Sequence, residues 1–298
     1  MTTIVWRFTD GKAGHDSQSQ GLLAALRERA AVLSHDIPVE RRGSGLWSWL
    51  SGSYPHGAGY APPDLLIGAG HATHWHLLAA RRRWGGRAIV LMKPSLPLSW
   101  FDLCLVPEHD GPVRGGNVLP TLGALNSVEP CRDRDMNSGL IVLGGPSRHY
   151  RWNDDQILSQ IERLIEERPL NNWLVTTSRR TPETMLGSLT GKPGLRCVPY
   201  ASSGGDWLSA RLAEAGQVWV SEDSVSMIYE ALTAGARLGL LRVERRRTNR
   251  VTSGVDALVD RGWVGQPGQW QLAAGPDQPL NEAARCADWI KHQWLVNH

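Results

Sequence analysis

"VWVSEDSVSMIYEALTAGARLGLL", residues 218–241, holds the pattern that decides the fold. An apolar run leads through Asp223 and Ser224, which are typical helix N-cap residues, into an amphipathic segment that ends at Gly235. A second apolar run follows at residues 238–241. Strands that are apolar throughout are typical of a parallel sheet covered on both faces. The stretch therefore predicts one β-α-β unit of an α/β protein.

The same alternation of short apolar runs and amphipathic segments extends along the whole chain and restarts near residue 138. It predicts strands at residues 4–8, 37–40, 65–68, 88–92, 103–106, 140–143, 173–177, 195–198, 218–220 and 238–241. Helices are predicted at residues 17–33 and 153–168, the first opened by a capping-box pattern. We expect two Rossmann-like, doubly wound parallel-sheet domains facing each other across a cleft, at residues 1–128 and 139–298, joined by a polar linker at 129–138.

Net charge, cysteine spacing and the lack of long apolar runs exclude several classes of protein. A net charge of +3 is too small to indicate a nucleic-acid binder. The four cysteines are far apart, which disfavours a disulfide framework or a zinc site and fits a reducing compartment. Neither a signal-peptide pattern nor an apolar run of membrane-spanning length is found in the sequence, so we predict a cytoplasmic protein.

Tryptophan and arginine are used unusually often: the chain has 14 Trp against two Phe, and 28 Arg against four Lys. In "LWSWLSGSYPHG", residues 46–57, Trp47, Trp49, Leu50 and Tyr54 stand among Ser and Gly. Because Trp favours the membrane–water interface, this segment is either a membrane-touching or acceptor-binding loop, or a loop pinned by aromatic anchors. The first reading predicts peripheral contact with the inner face of the cell membrane, where arginines would meet anionic lipid.

The first predicted strand ends at "FTDGKAGHDSQSQGLLAAL", residues 8–26, which places Lys12, His15 and Asp16 at a strand-to-helix corner. In parallel sheets, ligands bind beyond the carboxyl ends of the strands. The corner is therefore a candidate ligand site of the first domain.

Two similar corners open the second domain. In "IVLGGPSRHYRWNDDQI", residues 141–157, Gly144 and Gly145 would let the backbone approach a ligand, and Arg148 adds positive charge. In "WLVTTSRRTP", residues 173–182, Ser178 and Arg179 follow another strand. Both corners suit a phosphate group; the alternative is an ordinary turn and a helix cap with surface arginines.

The helix after Asp223 has two different faces on a helical wheel. One face is apolar, and the other carries Asp223, Ser226, Met227 and Glu230 toward whatever lies beyond the strand ends. Serines at a helix start suit a diphosphate, and a carboxylate two turns further suits a sugar diol. The alternative is a solvated acidic face.

Four segments, "TDGKAGHDSQSQGL", "IVLGGPSRHYRW", "TTSRRTP" and "SEDSVSMIYEALTAG", resemble in order and spacing the mitochondrial-fission Elm family. The resemblance covers nearly the whole chain. More distantly, the layout is similar to GT-B glycosyltransferases such as the N-acetylglucosaminyl transferase of peptidoglycan lipid-intermediate synthesis. It implies a GT-B fold and a nucleotide-sugar as donor substrate, with no other cofactor and no essential metal.

The resemblance also implies roles for individual residues. Glu230 would bind the nucleotide ribose, and His15 falls on the histidine of the family's first-domain loop. His15 or Asp16 would be the general base, while Lys12 or Arg148 would offset the charge of the leaving diphosphate. The residues implied to bind the nucleotide-sugar are Gly144, Gly145, Ser147, Arg148, Ser178, Arg179, Ser224, Val225, Ser226 and Glu230.

Two functions follow as hypotheses. The first is a metal-independent glycosyltransferase that moves a sugar from a nucleotide-sugar to a cell-envelope glycan or lipid-linked acceptor. The second is a non-catalytic adaptor of the mitochondrial-fission type with a relict nucleotide pocket. The first loop reads "DGKAGHD" where the transferases have a run of glycines. The retained Glu230, Ser-led helix and His15 nevertheless favour the enzyme.

Two other sites fit the sequence less well. "LLIGAGHATHWH", residues 65–76, offers a G-x-G after a strand, but Thr73 stands where a dinucleotide site has its third glycine. The ribose-binding carboxylate of such a site is also missing, because no Asp or Glu occurs between Asp64 and Asp102. An NADP site that uses Arg81 to Arg83 remains an alternative. A metal site at the three histidines of this segment is disfavoured because His76 turns away from the other two on a helix.

Overall fold

A computed structural model describes residues 2–39, 44–111, 115–131, 133–169, 172–204, 207–278 and 280–295. The chain divides into two compact units. Unit 1 comprises Met1–Ser127 and Glu282–His298, and unit 2 comprises Val128–Asn281. The last helix thus belongs to unit 1, whereas the predicted boundaries gave it to the second domain.

Unit 1 is built on a sheet of six parallel strands in the order β2-β1-β3-β4-β5-β6. Its strands are β1 (Thr3–Thr9), β2 (Val32–Pro38), β3 (Leu65–Ala69), β4 (Arg87–Leu91), β5 (Leu103–Pro107) and β6 (Val118–Thr121). Its helices are α1 (Ala13–Arg27), α2 (Ser44–Ser51), α3 (His74–Trp84) and, near the chain end, α9 (Glu282–Ile290), which a π-helical stretch, Lys291–Leu295, continues.

Apolar side chains cover both faces of this sheet. On one face α1 and α9 pack together, with Leu22 and Leu26 of α1 and Cys286 and Ile290 of α9 in a single buried cluster. Arg29 and Asp288 add an ion pair between them at 2.7 Å. Because α9 completes this hydrophobic layer, the chain returns to unit 1 after finishing unit 2.

Unit 2 is built on five parallel strands in the order β10-β9-β7-β11-β12. These strands are β7 (Asp135–Val142), β9 (Asn172–Thr176), β10 (Leu195–Val198), β11 (Ala215–Ser221) and β12 (Arg237–Leu241). The helices are α4 (Asp154–Glu167), α5 (Glu183–Leu189), α6 (Trp207–Glu214), α7 (Val225–Ala234) and α8 (Arg250–Asp260). A two-stranded antiparallel ribbon pairs β8 (Tyr150–Arg151) with β13 (Glu244–Arg245).

The doubly wound α/β architecture is confirmed, and several element bounds agree with the prediction. The predicted helix at 153–168 is α4, whose N-cap Asn153 accepts the N–H of Gln156 at 2.9 Å. Helix α7 is preceded by the N-cap Ser224 and closed by Gly235 in the left-handed conformation. Caps and amphipathic periodicity are local signals, which explains why these ends were readable. The capping box predicted at Ser17 is wrong, because Ser17 lies inside α1, whose N-cap Lys12 makes no side-chain cap hydrogen bond.

Other bounds differ. Helix α1 begins four residues before the predicted Ser17 and ends at Arg27, because the residues after it join β2 beside β1. The predicted strand at 37–40 starts earlier, at Val32, and its last predicted residue lies outside the described part of the chain. The predicted linker includes residues 135–138, which lie in β7. Strand β6 was missed because its sequence, VLPT, is short and contains Pro120.

Each sheet has one topological switch point, where successive connections leave in opposite directions. In unit 1 it lies between β1 and β3, and in unit 2 between β7 and β11. Open α/β sheets bind ligands beyond the carboxyl ends of the strands at such points. No helix in the described part of the chain is long and apolar enough to cross a bilayer.

Candidate functional site

The switch point of unit 2 is formed by the loops that follow β7 and β11. The N–H of Gly144 donates to Ser221 Oγ at 2.8 Å, and the N–H of Gly145 donates to Asp223 Oδ2 at 2.9 Å. A Cβ on Gly144 would lie 2.1 Å from that same carboxylate oxygen. The two glycines therefore let two protein loops approach each other, and their N–H groups are used within the protein.

Asp223 is the centre of this corner. Its side chain is fully buried, whereas the helical wheel placed it on an outward face. Burial raises the pKa of Asp223, while the Gly145 N–H and the Arg180 guanidinium, 2.9 Å away, act in the opposite direction. The oxygen Oδ1 has no hydrogen-bond partner among the described residues. Asp223 thus ties the loops after β7, β9 and β11 together.

The loop after β9 brings Arg180, rather than the predicted Arg179, to this corner. Arg180 donates to the carbonyl of Gly145 at 2.7 Å and to Ser224 Oγ at 3.1 Å. Arg179 turns away to the Tyr200 ring, with its guanidinium 5.2 Å from the ring centroid. Ser178 is in the corner as expected for a site residue, but its hydroxyl donates to Gly144 O at 2.8 Å.

Helix α7 begins beside these loops with free backbone donors. The side chain of its N-cap Ser224 makes no cap hydrogen bond. Of the described residues, none accepts from the backbone N–H of Val225 or Ser226. Since the start of a helix also carries partial positive charge, this end of α7 offers an anion both N–H groups and a favourable field.

Glu230 is the sixth residue of α7, and its side chain has no partner among the described residues. Its side chain keeps partial access to solvent, yet the surrounding protein raises the pKa of Glu230 to about 7 by desolvation. Across the described ranges, no hydrogen bond or ion pair reaches its carboxylate. An unpaired, desolvated carboxylate is costly unless another group supplies donors. Glu230 is therefore a predicted residue of unit 2 whose acceptor atoms are available to a ligand.

Ser147 and Arg148 lie in the turn that leads into β8. The hydroxyl of Ser147 accepts the N–H of Tyr150 at 3.1 Å and so shapes the turn. Arg148 is exposed, and its Nε donates to His149 Nε2 at 3.0 Å. Burial, followed by the charge of Arg148, lowers the pKa of His149. Both predicted residues are thus near the corner, with Arg148 free to reach solvent.

A second buried carboxylate behind the corner was not predicted. Glu222 accepts the N–H of Val243 at 2.9 Å and two bonds from Arg245, at 3.1 and 2.9 Å. Burial raises the pKa of Glu222, while these donors act in the opposite direction. Because its acceptor atoms are used, Glu222 supports the loop after β12 and is not offered to a ligand.

The switch point of unit 1 contains a histidine–carboxylate pair. His15 Nδ1 lies 3.0 and 2.9 Å from the two oxygens of Asp10, whose side chain is only 4% exposed. Burial acts to raise the pKa of Asp10, but His15 and Lys12 outweigh it and leave that pKa lowered. A carboxylate on one ring nitrogen fixes the orientation of the imidazole. Within the described ranges, Nε2 of His15 has no hydrogen-bond partner.

The ring of His15 packs against the end of the neighbouring strand. A Cβ on Gly70 would lie 2.2 Å from His15 Cε1, and Gly70 has φ +86°. The glycine after β3 therefore makes room for the imidazole at the switch point. No local sequence pattern indicates this contact, because it joins residues 55 positions apart.

The other two predicted catalytic residues have different surroundings. Lys12 is largely exposed, and its Nζ lies 3.4 Å from Asp10 Oδ2. Asp16 faces Arg7, with Oδ1 4.0 Å from the guanidinium. Arg7 is itself buried and bonded to Asp36 Oδ1 at 2.8 Å. Of the two candidate bases, His15 is the one with a free basic nitrogen.

The nearby histidines do not form a metal centre. No group of three or more His, Cys, Asp or Glu side chains suited to a metal ion is found in the residues that the structure describes. His74 is buried beside Ser95, and burial, with His71 and His15, lowers the pKa of His74 to about 4. His76 Nδ1 forms a hydrogen bond with the Tyr54 hydroxyl at 3.1 Å, away from the switch point.

Comparison with known proteins identifies both a family model and a shared fold. The model of a family described as Mitochondrial fission ELM1 matches residues 13–294. A Rickettsia prowazekii (strain Madrid E) protein, Uncharacterized protein RP120, is 21% identical over 353 aligned positions that cover 98% of this chain and 99% of the relative.

Two solved structures show the fold. UDP-GlcNAc 2-epimerase from Neisseria meningitidis, bound to UDP-GlcNAc, superposes with a TM-score of 0.58 at 12% identity, over 100% of each chain. MurG of Acinetobacter baumannii superposes with a TM-score of 0.53 at 12% identity, over 98% of this chain and 100% of that one. The fold is therefore of the GT-B type.

Proposed function

Because the chain belongs to the mitochondrial fission ELM1 family and has a GT-B fold, we propose that it is a glycosyltransferase. It would move a sugar from a nucleotide-sugar to a cell-envelope glycan or a lipid-linked acceptor in the cytoplasm, without a metal. The observation that carries the proposal is Glu230, an unpaired, desolvated carboxylate on the helix whose first backbone N–H groups also have no partner among the described residues.

In this proposal the donor binds at α7. The diphosphate takes the N–H groups of Val225 and Ser226 and the hydroxyl of Ser224, which the field of the helix start favours. Glu230 accepts hydrogen bonds from the ribose hydroxyls, and these bonds replace the donors that the protein itself does not supply. The solved epimerase relative carries UDP-GlcNAc, which makes that compound the first donor to test.

His15 acts as the general base. Its Nδ1–H is held by Asp10, which leaves Nε2 to take the proton of an acceptor hydroxyl as the acceptor oxygen bonds to the anomeric carbon. The bond between that carbon and the diphosphate breaks in the same step, and Lys12 or Arg148 offsets the charge that leaves. Asp10 is a positioning residue, because it acts through His15.

The packing of the glycine loop changes the implied roles of several residues. Since the N–H groups of Gly144 and Gly145 are used by Ser221 and Asp223, these glycines support the donor site by allowing loops to approach. Ser178 and Arg180 act in the same way, whereas Arg179 and Ser147 would reach the donor only by changing their present contacts.

The test is nucleotide binding measured by thermal shift and calorimetry with UDP-GlcNAc, UDP, GDP, ADP and CMP. Ligand that binds only the folded state raises the melting temperature. We expect one nucleotide to do so, and Glu230→Ala to weaken its binding about tenfold or more through loss of charged hydrogen bonds.

Glu166→Ala is the matched control, because Glu166 is an exposed glutamate on α4 of the same unit. It should bind as the wild type does. Equal affinity in Glu230→Ala and wild type would remove the ribose assignment. If no nucleotide raises the melting temperature, the non-catalytic adaptor becomes the better account of the chain.

A further inference from the structure

Helix α2 presents an apolar face to solvent. Trp47 is 72% exposed and Leu50 is 52% exposed, and Trp47 is the most exposed large apolar side chain among the described residues. Residues three apart lie on one face of a helix, so the two side chains form one continuous apolar surface. The sequence had left open whether the tryptophans of this segment face outward or anchor it.

The structure shows that the tryptophans divide these two tasks. Trp49 turns inward and packs against Trp75 and Trp100, with ring centroids 5.3 and 5.9 Å away. On the same side, a Cβ on Gly45 would lie 2.8 Å from the His76 ring, so α2 lies very close to α3. The inner face of α2 is thus packed against α3 and Trp100, while Trp47 projects into solvent on its other face.

The surroundings of α2 are basic. Arg82 Nη1 donates to the carbonyl of Trp49 at 2.8 Å, and its guanidinium lies 5.8 Å from the Trp49 ring centroid. Arg83 is exposed one residue further along α3. In the sequence from residue 41 to residue 101, Asp64 is the only acidic residue, and its carboxylate accepts the N–H of Ile4 at the start of β3. The next acidic residue, Asp102, is paired with Arg81 at 2.8 Å. An anionic partner would therefore meet little repulsion here.

We propose that this face, Trp47 and Leu50 with Arg82 and Arg83, docks on the interface of a bilayer that contains anionic lipid. A tryptophan ring is suited to the depth of the headgroups, and arginines beside it complement anionic headgroups. Two side chains provide far less than the roughly 800 Å² per partner of a standard protein interface, which argues against a stable dimer through this face. Vesicle binding needs no nucleotide, so this inference and the proposed function can fail separately.

The experiment is sedimentation with vesicles of phosphatidylcholine alone and of phosphatidylcholine with phosphatidylglycerol in equal parts. The wild-type protein should bind the mixed vesicles more strongly, and added salt should weaken that binding. The double variant Trp47→Ser/Leu50→Ser should lower the partition coefficient about tenfold or more, because both apolar contacts are lost. Arg83→Gln should lower it about fivefold on mixed vesicles only.

Met136→Ser is the matched control, because Met136 is 58% exposed on unit 2. It should leave vesicle binding unchanged, and circular dichroism should show the same melting for all variants. The proposal is overturned if the wild type binds neither vesicle, if the double variant binds as well as the wild type, or if anionic lipid makes no difference. A wild-type dimer that the double variant abolishes, without vesicle binding, would also overturn it and assign the face to self-association.

Discussion

The switch points of the two units differ in how completely their polar groups satisfy one another. In unit 2, the N–H groups of Gly144 and Gly145, Asp223 Oδ2 and the Arg180 guanidinium form a paired network, in which Asp223 Oδ1 alone is left without a partner among the described residues. In unit 1, Asp10 and His15 pair with each other, and the second ring nitrogen of His15 is left open. The paired network holds loops in place, whereas an open nitrogen can accept a proton.

The difference indicates where function is to be sought within each unit. In unit 2 the groups without a partner among the described residues are on α7, beside the glycine loop. They are the N–H groups of Val225 and Ser226 and the carboxylate of Glu230. A Gly-Gly turn after a strand was the obvious ligand signal in the sequence, yet its donors are occupied. Unsatisfied groups that keep access to solvent, and not the most familiar motif, mark the candidate site.

The largest effect is expected at the open nitrogen of unit 1. His15→Ala should lower turnover about 10²–10⁴-fold, the usual contribution of a general base, while nucleotide affinity is retained. Turnover is measured as nucleotide release from the nucleotide-sugar that binds best. His56→Ala, an exposed histidine of the same unit, is the control. Full turnover in His15→Ala would place the base elsewhere.

Changes in the paired network of unit 2 should alter the stability of the fold. Gly144→Ala should lower the free energy of unfolding by about 3 kcal/mol, because its Cβ would overlap the Asp223 carboxylate. Gly187→Ala, in α5 with no atom within 4 Å of the added Cβ, should instead gain up to about 1 kcal/mol. Denaturant melts measure both. Equal stability of Gly144→Ala and wild type would show that the loops are not closely packed.

Glu230 gives a pH-dependent prediction for the open part of unit 2. Its pKa is about 7 when folded, against an ordinary value of 4.5. The folded state therefore binds the proton more tightly, and stability falls as pH rises from about 4.5 to about 7. At pH 8, Glu230→Gln should be more stable than wild type by about 1–3 kcal/mol, and the difference should vanish near pH 4. A difference that does not change with pH would contradict the assigned pKa.

The smallest effect concerns Asp10, whose folded pKa is lowered from its ordinary 3.8. Its carboxylate stabilises the folded state above that pH, so Asp10→Asn should cost about 1 kcal/mol at neutral pH. The cost should shrink as pH falls below 3.8, because the wild-type carboxylate then becomes protonated. Asp16→Asn, farther from a positive group, should stay within about 0.5 kcal/mol. Acid titration of the unfolding free energy separates the two.

Local features of the sequence predicted most of the strands, the helices α4 and α7, and both ends of α7. Asn153, Ser224 and Gly235 are at helix ends because capping depends on a few neighbouring residues. The domain limits were less readable. Helix α9 has an amphipathic pattern that fits either unit, and only the apolar layer it completes with α1 assigns it to unit 1.

The chain's own sequence determined the two α/β sheets, the corners at which ligands are sought, and the residue types found there. Tertiary structure alone decided which of those residues are open. Arg180 and not Arg179 enters the corner, Asp223 is buried, and Asp10 holds His15. The physical reason is that propensity and periodicity act over a few residues, whereas a hydrogen-bond partner is chosen by strands that become neighbours only after the sheet has formed.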